Sequence, residues 1–452
     1  SRVPVLTLAG LGDHVTGTLE PATMAQEVLE RSGVAVELEY FGHPCPEDAR
    51  AKYHCRLRCE LLGQCGERPD AIAAWLEDSL DYQGFAERNT GWAHLEASLA
   101  AALRAEPFLE AAADVFVCGH PAVLCVALAA VAGPRPVLIY LQSTLLYGAP
   151  GCGSCEQPGH TLRYFESAEA RGYLERFQRT AGQASTALLT NCPFASAQIW
   201  YQTGVVAASV PNQALYAAAR WTGAESEAVL LPRSPFYQTS MGENFVDLVT
   251  GFLAASRLPL RLEVLEKGAG YLSHAEMAAR RAALLMPHDL GVHTFNVLYR
   301  LALPIFAPGR SWAFRLHSAM PWGWTAYGGA LPDDAPGPDG APLACLRAQL
   351  PFSPWLDVDA SAAEVEYWSD YSNAATFPFV QHFDSVPGLL TALHAADLPA
   401  LSGSMRGFSA QLLRAARRLY TEALGRALEG ASAETERETE RQRDRRGGET
   451  ET

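Results

Sequence analysis

Two histidines, one arginine and a glycine-threonine helix start are the residues here whose types and spacing could do chemistry. His120 stands in Cys118-Gly-His-Pro121, directly after the apolar run Asp114 to Cys118. An imidazole changes charge near neutrality, so it can act as a general base or orient a polar ligand. The structural alternative is a histidine packed under a loop. His14, in Gly10-Leu-Gly12-Asp13-His14, is a second candidate base. Gly10 and Gly12 would let a turn come close to phosphates, or they serve only a tight strand-helix turn. Arg233 ends Leu230-Leu-Pro-Arg, where a fixed guanidinium can grip phosphate oxygens in a bidentate way. Capping a helix or pairing with a surface carboxylate is its alternative. Asp289, Gly291, His293 and Thr294 precede or open a helix whose N-terminus favours anions, and capping by Asp289 or Thr294 is compatible with that role.

No metal site is expected. Asp357-Val-Asp359 has the spacing of a metal-holding aspartate pair, yet it follows Phe352-Ser-Pro-Trp-Leu rather than a buried strand. It leads into Ser361-Ala-Ala-Glu364, a capping-box spacing, and so reads as a helix start. Cys55, Cys59 and Cys65 cluster, and Cys152-Gly-Ser-Cys155 lies in a Gly/Pro loop. One CxxC without a second pair is weak support for zinc; loop disulfides and free thiols stand beside it. Trp312, Trp322 and Trp324 could stack on a sugar, with core packing as the default.

These residues need a frame, and 452 residues exceed what one core usually serves, so two domains are expected. The net charge is −15, lysine occurs only as Lys52 and Lys267, and the arginines are scattered. Nucleic-acid binding needs a concentrated positive field and is set aside. The longest apolar stretch, Ala122 to Ala132, is too short to span a bilayer, so no membrane-spanning segment is expected. The chain starts at Ser1, so an upstream signal or anchor is left open. No Asn-x-Ser/Thr acceptor occurs, and cytoplasm and secretory lumen both remain as compartments.

Val3 to Ala9 reads as a buried strand, Met24 to Leu29 as a helix stopped by Gly33, and Val34 to Tyr40 as the next strand. Residues 41–70 read as an irregular insertion. A helix through Leu95, Leu99 and Leu103 leads to strands at Asp114 to Cys118, Val137 to Leu141 and Ala187 to Asn191, with the helix Ala122 to Val131 between the first two. The second half repeats this, with strands at Val229 to Leu231, Leu260 to Val264, Ala282 to Met286, Pro304 to Ala307 and Phe379 to Phe383. Ser273 and Glu276 have capping-box spacing. Continuous apolar strands separated by helices imply parallel sheets covered on both faces. The expected fold is α/β, with two Rossmann-like doubly wound domains, 1–205 and 226–400, facing a cleft. A C-terminal helix over 401–430 follows, and residues 431–452, lacking large apolar side chains, read as a disordered tail.

Three segments resemble retaining, family-4-type GT-B glycosyltransferases. They are Ala187-Leu-Leu-Thr-Asn-Cys-Pro-Phe through Gly204, Leu230-Leu-Pro-Arg-Ser234, and Leu284-Leu-Met-Pro-His-Asp289 to Leu303-Pro-Ile-Phe-Ala-Pro308. The region Glu366 to Met405 also looks like poorly characterised eukaryotic relatives of this type. The resemblance implies a nucleotide-diphosphate sugar as donor substrate, with no further cofactor and no metal. The acceptor would be a glycan, lipid or protein. His120 would lie beside the donor sugar, with His14 as the alternative base. Arg233, Gly10, Gly12, Gly291, His293 and Thr294 would face the donor phosphates. The family's paired glutamates fall at Asp289 and Val297, and its usual lysine is replaced within Gln238-Thr-Ser-Met-Gly242. Those departures keep a non-catalytic binding protein of the same shape as a second reading, and a nucleotide-sugar epimerase as a third.

Overall fold

Runs such as Val115–Cys118 and Val137–Leu141 have no polar face to turn to water, so they are stable as strands only where both faces are covered. Both are buried along their whole length. The computed structural model describes residues 5–12, 15–42, 53–64, 71–80, 92–111, 113–142, 145, 168–265, 272–287, 290–319, 329–355 and 360–448. Its first half comprises β1 (Val5–Leu11), α1 (Val15–Arg31), β2 (Ala35–Phe41), α2 (Tyr53–Leu62), α3 (Ala71–Leu80), α4 (Trp92–Ala105), α5 (Pro107–Ala111), β3 (Val115–Cys118), α6 (Ala122–Val131), β4 (Val137–Leu141), α7 (Ala168–Ala181), β5 (Thr186–Thr190), α8 (Pro193–Thr203) and β6 (Ala208–Ser209). The second half comprises β7 (Ala228–Leu231), α9 (Ser240–Ser256), β8 (Arg261–Val264), α10 (His274–Ala278), β9 (Ala282–Leu284), α11 (His293–Leu301), β10 (Ile305–Pro308), α12 (Arg310–Ala319), α13 (Leu343–Arg347), α14 (Ala362–Ser369), α15 (Asn373–Thr376), β11 (Gln381–Phe383), α16 (Val386–Ala395) and α17 (Leu398–Gly448).

The strands form two parallel sheets, ordered β2-β1-β3-β4-β5-β6 and β11-β10-β9-β7-β8. Counted within its own half, each sheet places its second strand outside the first and its third on the other side. The order therefore reverses between β1 and β3, and again between β7 and β9. Ligands of doubly wound sheets bind outside the strand carboxyl ends at such reversals. The expectation of two Rossmann-like sheets holds.

α17 belongs to both halves. Leu398 and Met405 lie in the core of the second half. Further along, Ala416, Tyr420, Ala423, Leu424 and Ala427 pack on Leu8, Val117, Leu138 and Leu189 of the first sheet. The spacing of these five residues puts them on one face of the helix. The helix continues to Gly448, where a disordered tail was expected. Glu, Arg and Gln are good helix formers, carboxylate and guanidinium recur three apart (Glu434 and Arg437, Glu440 and Arg443), and extending an existing helix needs no new nucleus.

Residues 41–70 are also more ordered than expected, because α2 falls within them. Leu57 of α2 is buried in a cluster that joins Leu19 and Tyr40 of the first half to Leu230 and Leu284 of the second, so the insertion is docked in the core. Cys55 and Cys59 are disulfide-bonded, as are Cys118 and Cys125 to each other. The CxxC at Cys152 and Cys155 lies outside the described residues.

The halves are joined around α1. Glu20 is buried, and its Oε1 accepts the main-chain N–H of Gln213 in the connecting segment. Glu27, one helical face along, accepts from Arg417 of α17. Burial pushes the Glu20 carboxyl up from 4.5 to about 7, against the pull of the amides of Gln213, Leu215 and Ala214 and of Arg300 on α11. Between those values the folded chain holds a proton that the unfolded chain has released. Stability therefore falls as pH rises from about 4.5 to about 7, by roughly 3 kcal/mol, and is level above that. Glu20→Gln keeps an oxygen for the Gln213 amide and cannot ionise. We expect it to melt above the wild type near pH 8 and with it near pH 5. Identical melting profiles across that range, followed by calorimetry, would refute the buried charge.

Candidate functional site

The carboxyl ends of the first sheet are locked together by close main-chain contact. Gly12 N donates to Phe41 O at 3.2 Å, and the Tyr40 hydroxyl donates to Gly12 O at 2.6 Å. A Cβ on Gly12 would lie 2.2 Å from Thr18 Oγ1 and 2.7 Å from His120 O, so only glycine fits. Gly119 is as tight, with Gly17 O 2.3 Å from where its Cβ would be. Gly10 lies under α1, its missing Cβ 3.2 Å from Thr18 Cγ2. Protein therefore fills the space where a Cβ on Gly10 or Gly12 would sit. The β1 and β3 turns and the first turn of α1 form one rigid floor.

His120 sits on that floor at the first reversal point, largely buried. The Cys118–Cys125 disulfide bridges the end of β3 and α6, so the turn carrying His120 is closed covalently as well as by packing. Beside it, Gln142 follows β4 and Asn191 follows β5. Gln142 Nε2 donates to Gly17 O at 2.6 Å, which ties the β4 end to the same floor.

Arg233 follows β7 at the second reversal point and is exposed. Its neighbour Ser234 fixes the turn: the hydroxyl donates to Met286 O at 3.0 Å, beyond β9, and accepts from Phe236 N at 3.3 Å. Where the family's lysine would stand, Thr239 instead caps α9 by accepting from Gly242 N at 3.1 Å.

The β9–α11 turn faces the first half. A Cβ on Gly291 would lie 3.1 Å from Asn191 Nδ2 and 3.4 Å from Cys192 Sγ, so this glycine lets the two halves approach at the strand ends. α11 begins at His293, and its N-cap Val292 supplies no side-chain acceptor to the first amides. His293 and Thr294 occupy its first turn, half-buried, with His293 Nδ1 3.4 Å from Asn212 Nδ2. Val297 is buried in the core of the second half. The adjacent Asn296 accepts from Asn373 Nδ2 at 3.4 Å.

The structure thus brings Gly12 and His120 together, and Gly291 and His293 across the seam from Asn191 and Asn212. His14, Asp289, Trp322, Trp324, Asp357 and Asp359 fall outside the described residues. Ser361 and Glu364 form the expected capping box, as do Ser273 and Glu276. Trp312 packs against Phe245 and Phe383. Among the described residues, no group of three or more His, Cys, Asp or Glu side chains could hold a metal ion, and no helix is long and apolar enough to cross a membrane. Sequence reasoning passed over Gln142 as a candidate, and Asn191 entered only within a quoted segment. The available signal was a polar residue immediately after a wholly apolar strand.

No protein-family model and no curated protein matches the chain. Among solved structures, the glycosyltransferase VinC in complex with dTDP is similar at 12% identity and a TM-score of 0.38, over 95% of this chain and 100% of that one. UGT71G1 of Medicago truncatula, complexed with UDP-glucose, is similar at 11% identity and a TM-score of 0.41, over 95% of this chain and 98% of that one. MurG of Acinetobacter baumannii is similar at 11% identity and a TM-score of 0.33, over 95% of each chain. Superpositions this loose carry no weight for the chemistry, and the fold rests on the two strand orders themselves.

Proposed function

We propose that this chain is a GT-B glycosyltransferase of the family-4 type, moving a sugar from a nucleotide-diphosphate sugar to a hydroxyl of a glycan, lipid or protein. One observation carries the reading: two doubly wound sheets turn their strand ends to a common seam, with His120 at one reversal point and Arg233 at the other. The transfer breaks the bond from the sugar's anomeric carbon to the diphosphate and forms one to the acceptor oxygen. The leaving diphosphate gains negative charge, which Arg233 and the N-terminus of α11 would stabilise without metal. The acceptor's proton would go to His120 or to the departing phosphate. His14 and Asp289 are kept as candidates for base and sugar contact, and His293 and Thr294 for the phosphates.

Val297 supports the second reading, a binding protein without turnover. A buried valine cannot hold ribose hydroxyls where the resemblance puts a glutamate. The bonded cysteines Cys55, Cys59, Cys118 and Cys125 support an oxidising compartment, the secretory lumen of the two considered.

Four outcomes test these readings. UDP, GDP, ADP or dTDP raises the melting temperature of the wild type, and Arg233→Ala weakens that binding by about tenfold or more, the loss of a charged hydrogen-bonded contact. His120→Ala leaves nucleotide binding intact and lowers kcat by roughly 10²–10⁴. Nucleotide binding with no transfer to any acceptor would select the non-catalytic reading. Reduction with dithiothreitol lowers the melting temperature, by breaking cross-links worth about 2–4 kcal/mol each; an unchanged melt, with free thiols at every cysteine before reduction, would argue for the cytoplasm.

A further inference from the structure

Gln142 is 9% exposed and Asn191 is fully buried. Main-chain carbonyls fix the orientation of both amides. Gln142 Nε2 donates to Gly17 O at 2.6 Å, and Asn191 Nδ2 donates to Gln142 O at 3.4 Å. A carbonyl oxygen only accepts, so the nitrogen of each amide must face it, and the free end of each amide is oxygen. Those ends, Gln142 Oε1 and Asn191 Oδ1, are buried without a hydrogen-bond partner. An unpaired buried acceptor is costly to a fold and calls for an explanation.

The explanation lies in where they stand. Both follow strands of the first sheet at its carboxyl edge, and Asn191 Oδ1 is 3.7 Å from where a Cβ on Gly291 would be, across the seam. The facing half presents the N-terminus of α11, to which the N-cap Val292 supplies no side-chain acceptor. A helix N-terminus favours anions, so a ligand with phosphate at one end and hydroxyls at the other would fit such walls in one direction only.

We infer that Gln142 and Asn191 form an uncharged, acceptor-only subsite for the hydroxyl groups of the sugar being transferred, which rests on the glycosyltransferase reading. Each free oxygen accepts one hydroxyl hydrogen. Phosphate, which brings only acceptors, is turned to the opposite wall.

The test uses calorimetric titration of the full chain with free UDP, GDP, ADP and dTDP and with their hexose conjugates. Asn191→Ala and Gln142→Ala should bind the free diphosphate as the wild type does and lose about tenfold or more of the affinity that the hexose adds. The inference is overturned if the variants retain the hexose increment. Should either alanine variant fail to fold by circular dichroism, Gln142→Met or Asn191→Leu, which keeps side-chain bulk but carries no acceptor oxygen, reads out the same loss. If the wild type binds no nucleotide at all, the glycosyltransferase reading falls. The subsite is then decided with free glucose, galactose and mannose: a thermal shift abolished in Asn191→Ala sustains it, and no shift ends it.

Discussion

Glu20 is an acid held where no water reaches it, on the helix that follows the first strand, with its Oε1 on the main chain of the segment joining the two halves. That contact ties the first half to the segment leading into the second. α1 supplies Thr18 to the floor under His120 and Glu20 to the connecting segment only two residues later, so floor and connection are set by a single rigid element. Arg300 acts on Glu20 from the C-terminal part of α11, the helix whose first residue, His293, faces the seam. α17 closes the arrangement by pairing Arg417 with Glu27 and burying its apolar face on the first sheet. The charge on Glu20 costs stability, and geometry is what it returns: a carboxylate with several main-chain amides turned to it holds the connecting segment in one place.

The first half can afford little movement at its strand ends. Where backbone packs on backbone, as at Gly12 against His120 and Gly119 against Gly17, there is no side chain to rotate and the contact cannot relax gradually. The second half is built differently. Side-chain hydroxyls hold its turns, Ser234 on Met286 and Thr239 on Gly242, and Arg233 projects from them into solvent. Such an asymmetry suits a cleft in which one wall fixes orientation and the other adjusts to a charged ligand.

Much of this was legible in the sequence because the signals were local. Apolar runs gave the strands, the Ser-x-x-Glu spacing gave two capped helices, and a polar residue closing a strand marked both His120 and Arg233, which the strand orders then placed at the two reversals. The residues that were not legible owe their roles to distant partners. Glu20 sits inside a helix with no mark of burial, and its partner is 193 residues away. Gln142 bonds Gly17 across 125 residues, and nothing near it in sequence forecasts an unpaired oxygen. The α2 insertion looked irregular because its charge hides the few apolar residues, Leu57 and Leu62, that dock it. The tail looked disordered because composition was weighed without the helix it extends.

Electrostatics argues that the missing glutamate and the missing lysine belong together. Two carboxylates near a diphosphate would need two cations to keep the field favourable, the more so on a chain of net charge −15. Here the position of the second carboxylate is Val297, turned into the core, and amides stand along the seam at Gln142, Asn191 and Asn212. An amide offers hydrogen bonds without adding negative charge. On the proposed function, Arg233 and the N-terminus of α11 would face the phosphates with less opposing charge nearby, so losing the lysine would cost less than in a carboxylate-rich cleft. The two departures from the pattern that the sequence resembles would then compensate each other.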